Sequence, residues 1–78
     1  MQKLKEYLDR LERIDGLIRR KATGSPKEFS EKMNMSERRV YDYLNFVKAQ
    51  LQAPIIYNKV RKSYEYNSEG RIILRWIL

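Results

Sequence analysis

The side chains most able to do chemistry in this chain of 78 residues are cationic. Arg38 and Arg39 are adjacent, and a second group of cations lies between Lys59 and Lys62. Arginine and lysine bind phosphate oxygens, and side chains that enter a groove of DNA can also contact base edges. Catalysis has much less support, because the chain has no His or Cys and its carboxylates are scattered beside basic residues. We therefore expect a binding protein and not an enzyme.

The composition also narrows the class of ligand. Without His and Cys the chain lacks the usual ligands of structural zinc and forms no disulfide. It has no glycine-rich phosphate loop either. We expect no metal, no cofactor and no small-molecule ligand. The formal net charge of +7 is instead the electrostatic footprint of a nucleic-acid binder.

The sequence predicts a cytoplasmic protein with no membrane span. A chain without Cys fits a reducing compartment. Met1 begins a charged amphipathic stretch instead of an apolar signal region. The longest apolar run, Ile72 to Leu78, is interrupted by Arg75 and is much shorter than the roughly 20 residues that cross a bilayer.

The chain is long enough for one domain, which we place over residues 1–78. Its first helix is predicted within residues 1–23, because apolar residues recur at helical spacing: Leu4, Tyr7, Leu8, Leu11, Ile14 and Ile18. Asp15 falls inside this apolar face, and Gly16 follows it. We expect the helix either to bend there or to provide Asp15 with a basic partner.

Residues 25–53 predict two further helices joined by a tight turn. Ser25 is suited to cap the first of them, and Glu28 three residues later completes a capping box. Asn34 tolerates the left-handed conformation that would end this helix, and Ser36 would cap the next one. A short helix, a turn and a longer helix form the helix-turn-helix arrangement.

The helix that starts at Glu37 has a buried side and an outward side. A helical wheel places on the buried side Val40, Leu44, Val47 and Leu51. In a helix-turn-helix protein the second helix enters the major groove, and its outward side chains reach base edges. Arginines near a helix start are mildly disfavoured by the helix dipole, so a ligand best explains their presence. The predicted base-reading residues are Arg38, Arg39, Asp42 and Asn45, of which the last two could equally be solvated.

After Pro54, two aromatic and β-branched runs at residues 55–57 and 64–66 flank a basic stretch. This pattern predicts a β-hairpin with a cationic tip over residues 54–67. In a helix-turn-helix protein such a hairpin is a wing, which would carry cations to the DNA backbone. The predicted wing contacts to phosphate are Lys59, Arg61 and Lys62.

The run from Gly24 to Tyr41, continued by Ala53-Pro54-Ile55-Ile56-Tyr57, resembles the DeoR-like winged helix domains, particularly those joined to a WYL effector domain. The resemblance covers about residues 8–67. It implies a winged helix-turn-helix fold of the α+β class, binding of double-stranded DNA and a role in transcriptional regulation. It also places Ser36 and Tyr41 at the phosphate backbone and Arg38 near the groove.

The chain departs from the family pattern at positions that matter for recognition. Asp42 and Tyr43 replace an Arg-Asp pair, and Gln52 stands where the family has glycine. An acidic Asp42 weakens the attraction to phosphate, although it could accept a hydrogen bond from cytosine N4. The base sequence preferred by a typical relative is therefore not expected here. Because no effector domain follows, ligand sensing is not expected either.

Residues 68–78 predict a turn and then a strand that is apolar on both faces. A domain of this size can scarcely cover such a strand alone. We therefore expect a homodimer, which suits a palindromic DNA site. Its predicted interface consists of Leu4, Leu8, Ile73, Trp76 and Ile77.

A second interpretation belongs to a different class of protein. Glu37 and Asp42 offset Arg38 and Arg39 on the third helix, and the end of the chain is apolar. These features also fit a winged helix that serves protein–protein interaction or assembly without DNA. The two interpretations differ in geometry, because DNA binding requires the cations of the third helix and of the hairpin to project from the same side.

Overall fold

The computed structural model describes residues 2–73, which form three helices followed by a two-stranded antiparallel hairpin. This arrangement confirms the predicted α+β class, with helices first and a hairpin after them. None of the helices within residues 2–73 is long and apolar enough to cross a membrane. The elements are α1 (Gln2–Arg19), α2 (Pro26–Met33), α3 (Glu37–Gln50), β1 (Ile55–Asn58) and β2 (Ser63–Tyr66).

Helix α1 ends at Arg19, inside the range of residues 1–23 predicted to contain it. Lys21 adopts the left-handed conformation with a φ of 55°. Its N–H donates to the carbonyl of Ile18 at 3.0 Å, and the N–H of Ala22 donates to the carbonyl of Leu17 at 2.9 Å. These two bonds satisfy the last helical carbonyls and turn the chain away, as in a Schellman motif.

The predicted caps of α2 and α3 are confirmed. The Ser25 hydroxyl accepts from the N–H of Glu28, and the Glu28 carboxylate accepts from the N–H of Ser25. Asn34 ends α2 in the left-handed conformation with a φ of 54°. The Ser36 hydroxyl accepts from the N–H of Arg39 and caps α3. Local capping therefore fixes the short turn that separates the two helices.

The hydrophobic core lies between the three helices and is closed by the hairpin. Burial of this apolar surface is what holds α3 against α1 and α2. Leu51 was wrongly predicted to join it, since α3 ends one residue earlier and the Leu51 side chain is exposed. The buried apolar residues are Leu11, Ile14, Leu17, Ile18, Phe29, Met33, Val40, Tyr43, Leu44, Val47 and Ile55.

Asp15 is buried in α1, with 4% of its surface exposed, and joins three parts of the chain. Its carboxylate accepts from Nε of Arg19 at 3.0 Å, from the Tyr66 hydroxyl at 2.7 Å and from the N–H of Ile72 at 3.0 Å. Burial, and then the hydrogen bond to Asp15, raise the pKa of Tyr66 well above its ordinary value. Of the two expectations for Asp15, the basic partner is therefore the correct one.

A buried pair of hydroxyls fixes the hairpin to the loop after α1. The Oγ1 of Thr23 and the Oγ of Ser63 lie 3.1 Å apart. Ser63 also accepts from the N–H of Thr23 at 3.2 Å, and Thr23 accepts from the N–H of Tyr64 at 2.9 Å. Since both side chains are almost fully buried, these bonds satisfy polar groups that have no access to water.

Of the strand predicted after the turn at residues 68–70, the described part, residues 71–73, does not form a strand. The sheet of the described chain consists of β1 and β2 alone, paired from Ile55 with Tyr66 to Asn58 with Ser63. The N–H of Ile72 bonds to the Asp15 carboxylate and not to a neighbouring strand. That side-chain acceptor replaces the ladder bond a strand would need. The remaining residues, 74–78, lie outside the described part of the chain.

We predict that Asp15→Ala destabilises the fold by about 2–4 kcal/mol, because the Tyr66 hydroxyl and the Ile72 N–H lose their acceptor. Urea denaturation measures the change. Asp9→Ala is the matched control, since it removes an exposed carboxylate from the same helix. It is expected to change the free energy of unfolding by about 0.5 kcal/mol or less. Equal effects of the two substitutions would contradict the role assigned to Asp15.

Candidate nucleic-acid interface

The outward side of α3 carries a polar ridge formed by Arg38, Asp42 and Asn45. These residues stand at helical positions i, i+4 and i+7 and are exposed. Val40 and Val47, on the opposite side of the helix, are buried in the core. Core packing therefore determines which side chains of α3 face solvent, and it leaves this ridge free to meet a partner.

One flank of the ridge carries Glu37 and Tyr41, in the first turns of α3. Burial raises the pKa of Tyr64 in β2, and the phenols of Tyr57 and Tyr41 and the carboxylate of Glu37 raise it further. Tyr57 and Tyr64 themselves pack edge to face with ring centroids 4.9 Å apart. The first turns of α3, which carry Glu37 and Tyr41, thus lie near β2.

The other flank of the ridge faces α1. Arg39 and Asp42 line a shallow groove together with Tyr7 and Tyr43. The rings of Tyr7 in α1 and Tyr43 in α3 have centroids 5.0 Å apart. The ridge is therefore bordered by α1 on one side and by the hairpin on the other.

Arg38 and Asp42 form an ion pair along the ridge, with Nε and Oδ1 3.6 Å apart. Their side chains are 85% and 62% exposed. An exposed pair one helical turn apart contributes only about 0.3–0.5 kcal/mol to stability. Nε is the Arg38 nitrogen that forms this pair with the Asp42 carboxylate.

The predicted contact residues at the start of α3 are all available to a ligand. Although the Ser36 hydroxyl accepts the capping bond from Arg39, its own hydrogen is free to donate. Tyr41 is 56% exposed, so its ring does not belong to the core. Together with the three wing cations, all nine residues predicted to contact DNA are exposed: Ser36, Arg38, Arg39, Tyr41, Asp42, Asn45, Lys59, Arg61 and Lys62.

Asn58 shapes the hairpin turn that bears the wing cations, and sequence reasoning missed it. Its Oδ1 accepts from the N–H of Val60 at 2.9 Å and from the N–H of Arg61 at 3.1 Å. Lys62 then takes a left-handed φ of 53° and brings the chain back into β2. An Asn directly before a basic stretch is a typical turn signal, which could have identified it.

Glu65 is a second residue that sequence reasoning missed. Its side chain is 12% exposed, and its Oε2 lies 3.7 Å from Nε of Arg61. Oε1 accepts from Nδ2 of Asn58 at 3.4 Å, whereas Oε2 has no hydrogen-bond partner among the described residues. The Arg61 guanidinium therefore supplies the charge that this buried carboxylate needs, and less of the Arg61 charge is free for a ligand.

Carboxylates compensate the charges of the other two wing cations, Lys59 and Lys62, less than that of Arg61. Lys59 is exposed and makes no salt bridge within residues 2–73. The backbone and side chain of Ser25 lower the pKa of Glu28, and Lys32 and Lys62 lower it further, which places Lys62 near the start of α2. Lys59 is thus the wing cation with the least local compensation.

Neither a metal site nor a match to a known protein indicates the function of this surface. Within residues 2–73, no three carboxylates lie close enough together to hold a metal ion. No protein-family model matches the chain, and no curated protein or solved structure matches it. The geometry of the ridge and of the hairpin turn is therefore the basis on which a function can be argued.

We predict that Arg61→Ala lowers the free energy of unfolding by about 1 kcal/mol, because the buried Oε2 of Glu65 loses its cationic neighbour. Lys59→Ala, its matched control, removes the same charge from the same turn and should change stability by less than about 0.5 kcal/mol. Thermal and urea denaturation measure both variants. If Arg61→Ala is as stable as Lys59→Ala, the structural role of the Arg61–Glu65 pair is wrong.

Proposed function

We propose that this chain is a winged helix-turn-helix domain of the DeoR-like kind that binds double-stranded DNA sequence-specifically as a transcriptional regulator. In this proposal α2 and α3 are the helix-turn-helix pair, and the β1–β2 hairpin is the wing. One observation carries the proposal: Glu37 and Tyr41, which flank the exposed ridge of α3, lie near Tyr64 in the hairpin whose turn bears three cations. Such a surface can meet base edges and phosphates together.

The backbone at Gln52 supports the resemblance to the DeoR-like domains. Gln52 has a φ of 54°, in the left-handed region that favours glycine. The family has glycine at this position, directly before the Ala53-Pro54 pair that leads into β1. A left-handed backbone at Gln52 is what the resemblance implies at a position where the family has glycine.

The proposed roles follow from chemistry and position. Arg38, Arg39 and Asn45 read base edges from the ridge and its α1 flank, and Asp42 contributes to this reading through its ion pair with Arg38. Phosphate contacts come from hydroxyl and cationic groups around them: Ser36, Tyr41, Lys59, Arg61 and Lys62. Among the cations of the wing we expect Lys59 and Lys62 to contribute more than Arg61, whose charge is shared with Glu65.

The alternative of a protein-interaction module has one observation in its favour. Arg38 and Arg61 each have a carboxylate neighbour, Asp42 and Glu65, so part of the cationic surface is already compensated. A compensated polar surface also suits a protein partner. Salt dependence separates the two functions, because only a protein that displaces counterions from DNA binds it with a steep loss of affinity in salt.

We predict that the protein retards mixed-sequence duplex DNA in a gel at low salt. The logarithm of the binding constant should fall linearly with the logarithm of salt concentration, with a slope of about −0.9 for each phosphate contacted. Retardation that is absent, or that does not respond to salt, would exclude DNA binding and favour the protein-interaction module.

Two substitutions then test the separate roles. Arg38→Ala should cost about 1–3 kcal/mol of binding free energy on the preferred duplex and relax the preference at one base pair. Lys62→Ala should weaken binding to all duplexes alike and reduce the salt slope by about one. Lys3→Ala, at the start of α1, removes the same charge from a different helix and should leave the slope unchanged. Identical behaviour of all three variants would contradict these assignments.

We also propose a homodimer that uses the exposed apolar residues of α1 and of the segment after β2. Leu4 is 50% exposed and Ile73 is 56% exposed, while Leu8 is half-buried. Two further residues of the predicted interface, Trp76 and Ile77, lie outside the described part of the chain. Isolated exposed leucines are common on monomers, so the dimer depends on its own measurement.

We predict that the chain sediments as a dimer at micromolar concentration and that Leu4→Lys shifts it towards monomer, because a charge is placed in the apolar contact. Val60→Lys is the matched control. It introduces the same charge at the hairpin tip, where Val60 is 94% exposed, and should leave the dimer intact. A parent chain that sediments as a monomer would exclude the dimer.

A further inference from the structure

The position of Asp42 calls for a physical explanation. This carboxylate is exposed on the ridge of α3, one helical turn after Arg38. A negative charge on a DNA-facing helix repels phosphates, so for affinity alone it is unfavourable. Asp42 makes an ion pair with the Arg38 side chain, and this pair offers a compensating role for the carboxylate.

Asp42 approaches Arg38 at Nε and not at a terminal nitrogen of the guanidinium. The carboxylate Oδ1 lies 3.6 Å from Nε, on the side of the guanidinium nearest the helix. Arginine has five N–H donors in a planar fork, and four of them belong to the two terminal nitrogens. A carboxylate on the Nε side leaves both terminal nitrogens free to donate outward.

Two outward donors in one plane are complementary to the major-groove edge of one base, guanine. Guanine presents O6 and N7, two acceptors side by side, in the major groove, and arginine binds them with two parallel hydrogen bonds. Adenine presents one acceptor and one donor at the same edge, so a fork with donors alone is mismatched there. The free face of the Arg38 guanidinium therefore favours guanine.

We propose that Asp42 is a positioning residue that holds Arg38 with its two terminal nitrogens outward, so that Arg38 selects a guanine. This inference rests on the proposed DNA-binding function and adds the base that the site reads. Asp42 does not itself contact the guanine. It reduces the side-chain freedom that Arg38 would otherwise lose on binding.

The strength of the Arg38–Asp42 ion pair limits the size of the effect. An exposed pair one helical turn apart corresponds to a ratio of binding constants of about 2. A complete bidentate contact discriminates between bases by about 5- to 150-fold. Removing Asp42 should thus reduce the preference for guanine without abolishing it.

The experiment first selects bound sequences from a random duplex pool with the full chain. The base pair read by Arg38 is the one whose preference is lost in Arg38→Ala. Binding constants are then measured on two duplexes that differ at that pair, G·C or A·T, and their ratio is the discrimination. Asp42→Ala is compared with Glu37→Ala, which removes another exposed carboxylate from the same helix.

Glu37→Ala should bind both duplexes more tightly, since it removes a repulsive charge, and Asp42→Ala should do so on the A·T duplex. Only Asp42→Ala should lower the discrimination, by about 2-fold. In an Arg38→Ala background, Asp42→Ala should have no further effect on the ratio, because Asp42 acts through Arg38. Both side chains are exposed, so the melting temperature of each variant should stay close to that of the parent.

Three results overturn the proposal while leaving DNA binding intact. These are a discrimination unchanged in Asp42→Ala, an equal loss in Glu37→Ala, or a selected sequence without guanine at the pair that Arg38 reads. A parent chain that shows no salt-dependent binding to duplex DNA overturns the proposed function and this inference together. The two kinds of failure are distinguishable because the parent is measured first.

Discussion

The relative placement of the helices and the hairpin depends on the hydrogen bonds that the buried carboxylate of Asp15 accepts. A charge with so little exposure is tolerated only where donors surround it, and Asp15 has three, from Arg19, Tyr66 and Ile72. The donors come from α1 itself, from β2 and from the segment after β2. Satisfying this one group therefore joins the first element of the chain to the last described one.

The hydroxyls of Thr23 and Ser63 provide a second attachment at the other end of β2. Asp15 binds Tyr66 at the last residue of the strand, and Thr23 binds Ser63 and Tyr64 at its first two residues. Two buried polar contacts at opposite ends of one short strand restrict its tilt as well as its position. The hairpin turn, which bears the wing cations, inherits this restriction because it immediately precedes Ser63. The wing is thus oriented by contacts remote from the proposed DNA surface.

Local signals in the sequence were enough to predict the parts of the fold that depend on neighbouring residues. The capping box of Ser25 and Glu28 and the cap at Ser36 each involve residues three apart, and the pattern alone fixes them. Residues 71–73, the described part of the predicted last strand, do not form a strand, and the N–H of Ile72 donates instead to the distant Asp15 carboxylate. Local composition does not predict a contact between two residues that are 57 positions apart in the sequence.

The same distinction applies to the candidate site. The outward side of α3 follows from its helical period, so Arg38, Asp42 and Asn45 could be placed from sequence. The role of Glu65 could not, because a strand residue that alternates with Tyr64 and Tyr66 gives no sign that its carboxylate is buried beside Arg61. Charge counting treats every cation as available, whereas the structure pairs some of them with carboxylates.

The pairing of cations with carboxylates affects whether the surface would bind DNA for affinity or for sequence specificity. Phosphate attraction supplies affinity without sequence information, and base contacts supply specificity. A surface evolved for affinity alone gains nothing from carboxylates next to Arg38 and Arg61, since each one reduces the local positive potential. Carboxylates that orient guanidinium groups instead sacrifice part of the non-specific attraction and keep the directional donors. The balanced charge of α3, which by itself argues against DNA, is thus also what a selective reader of base edges requires.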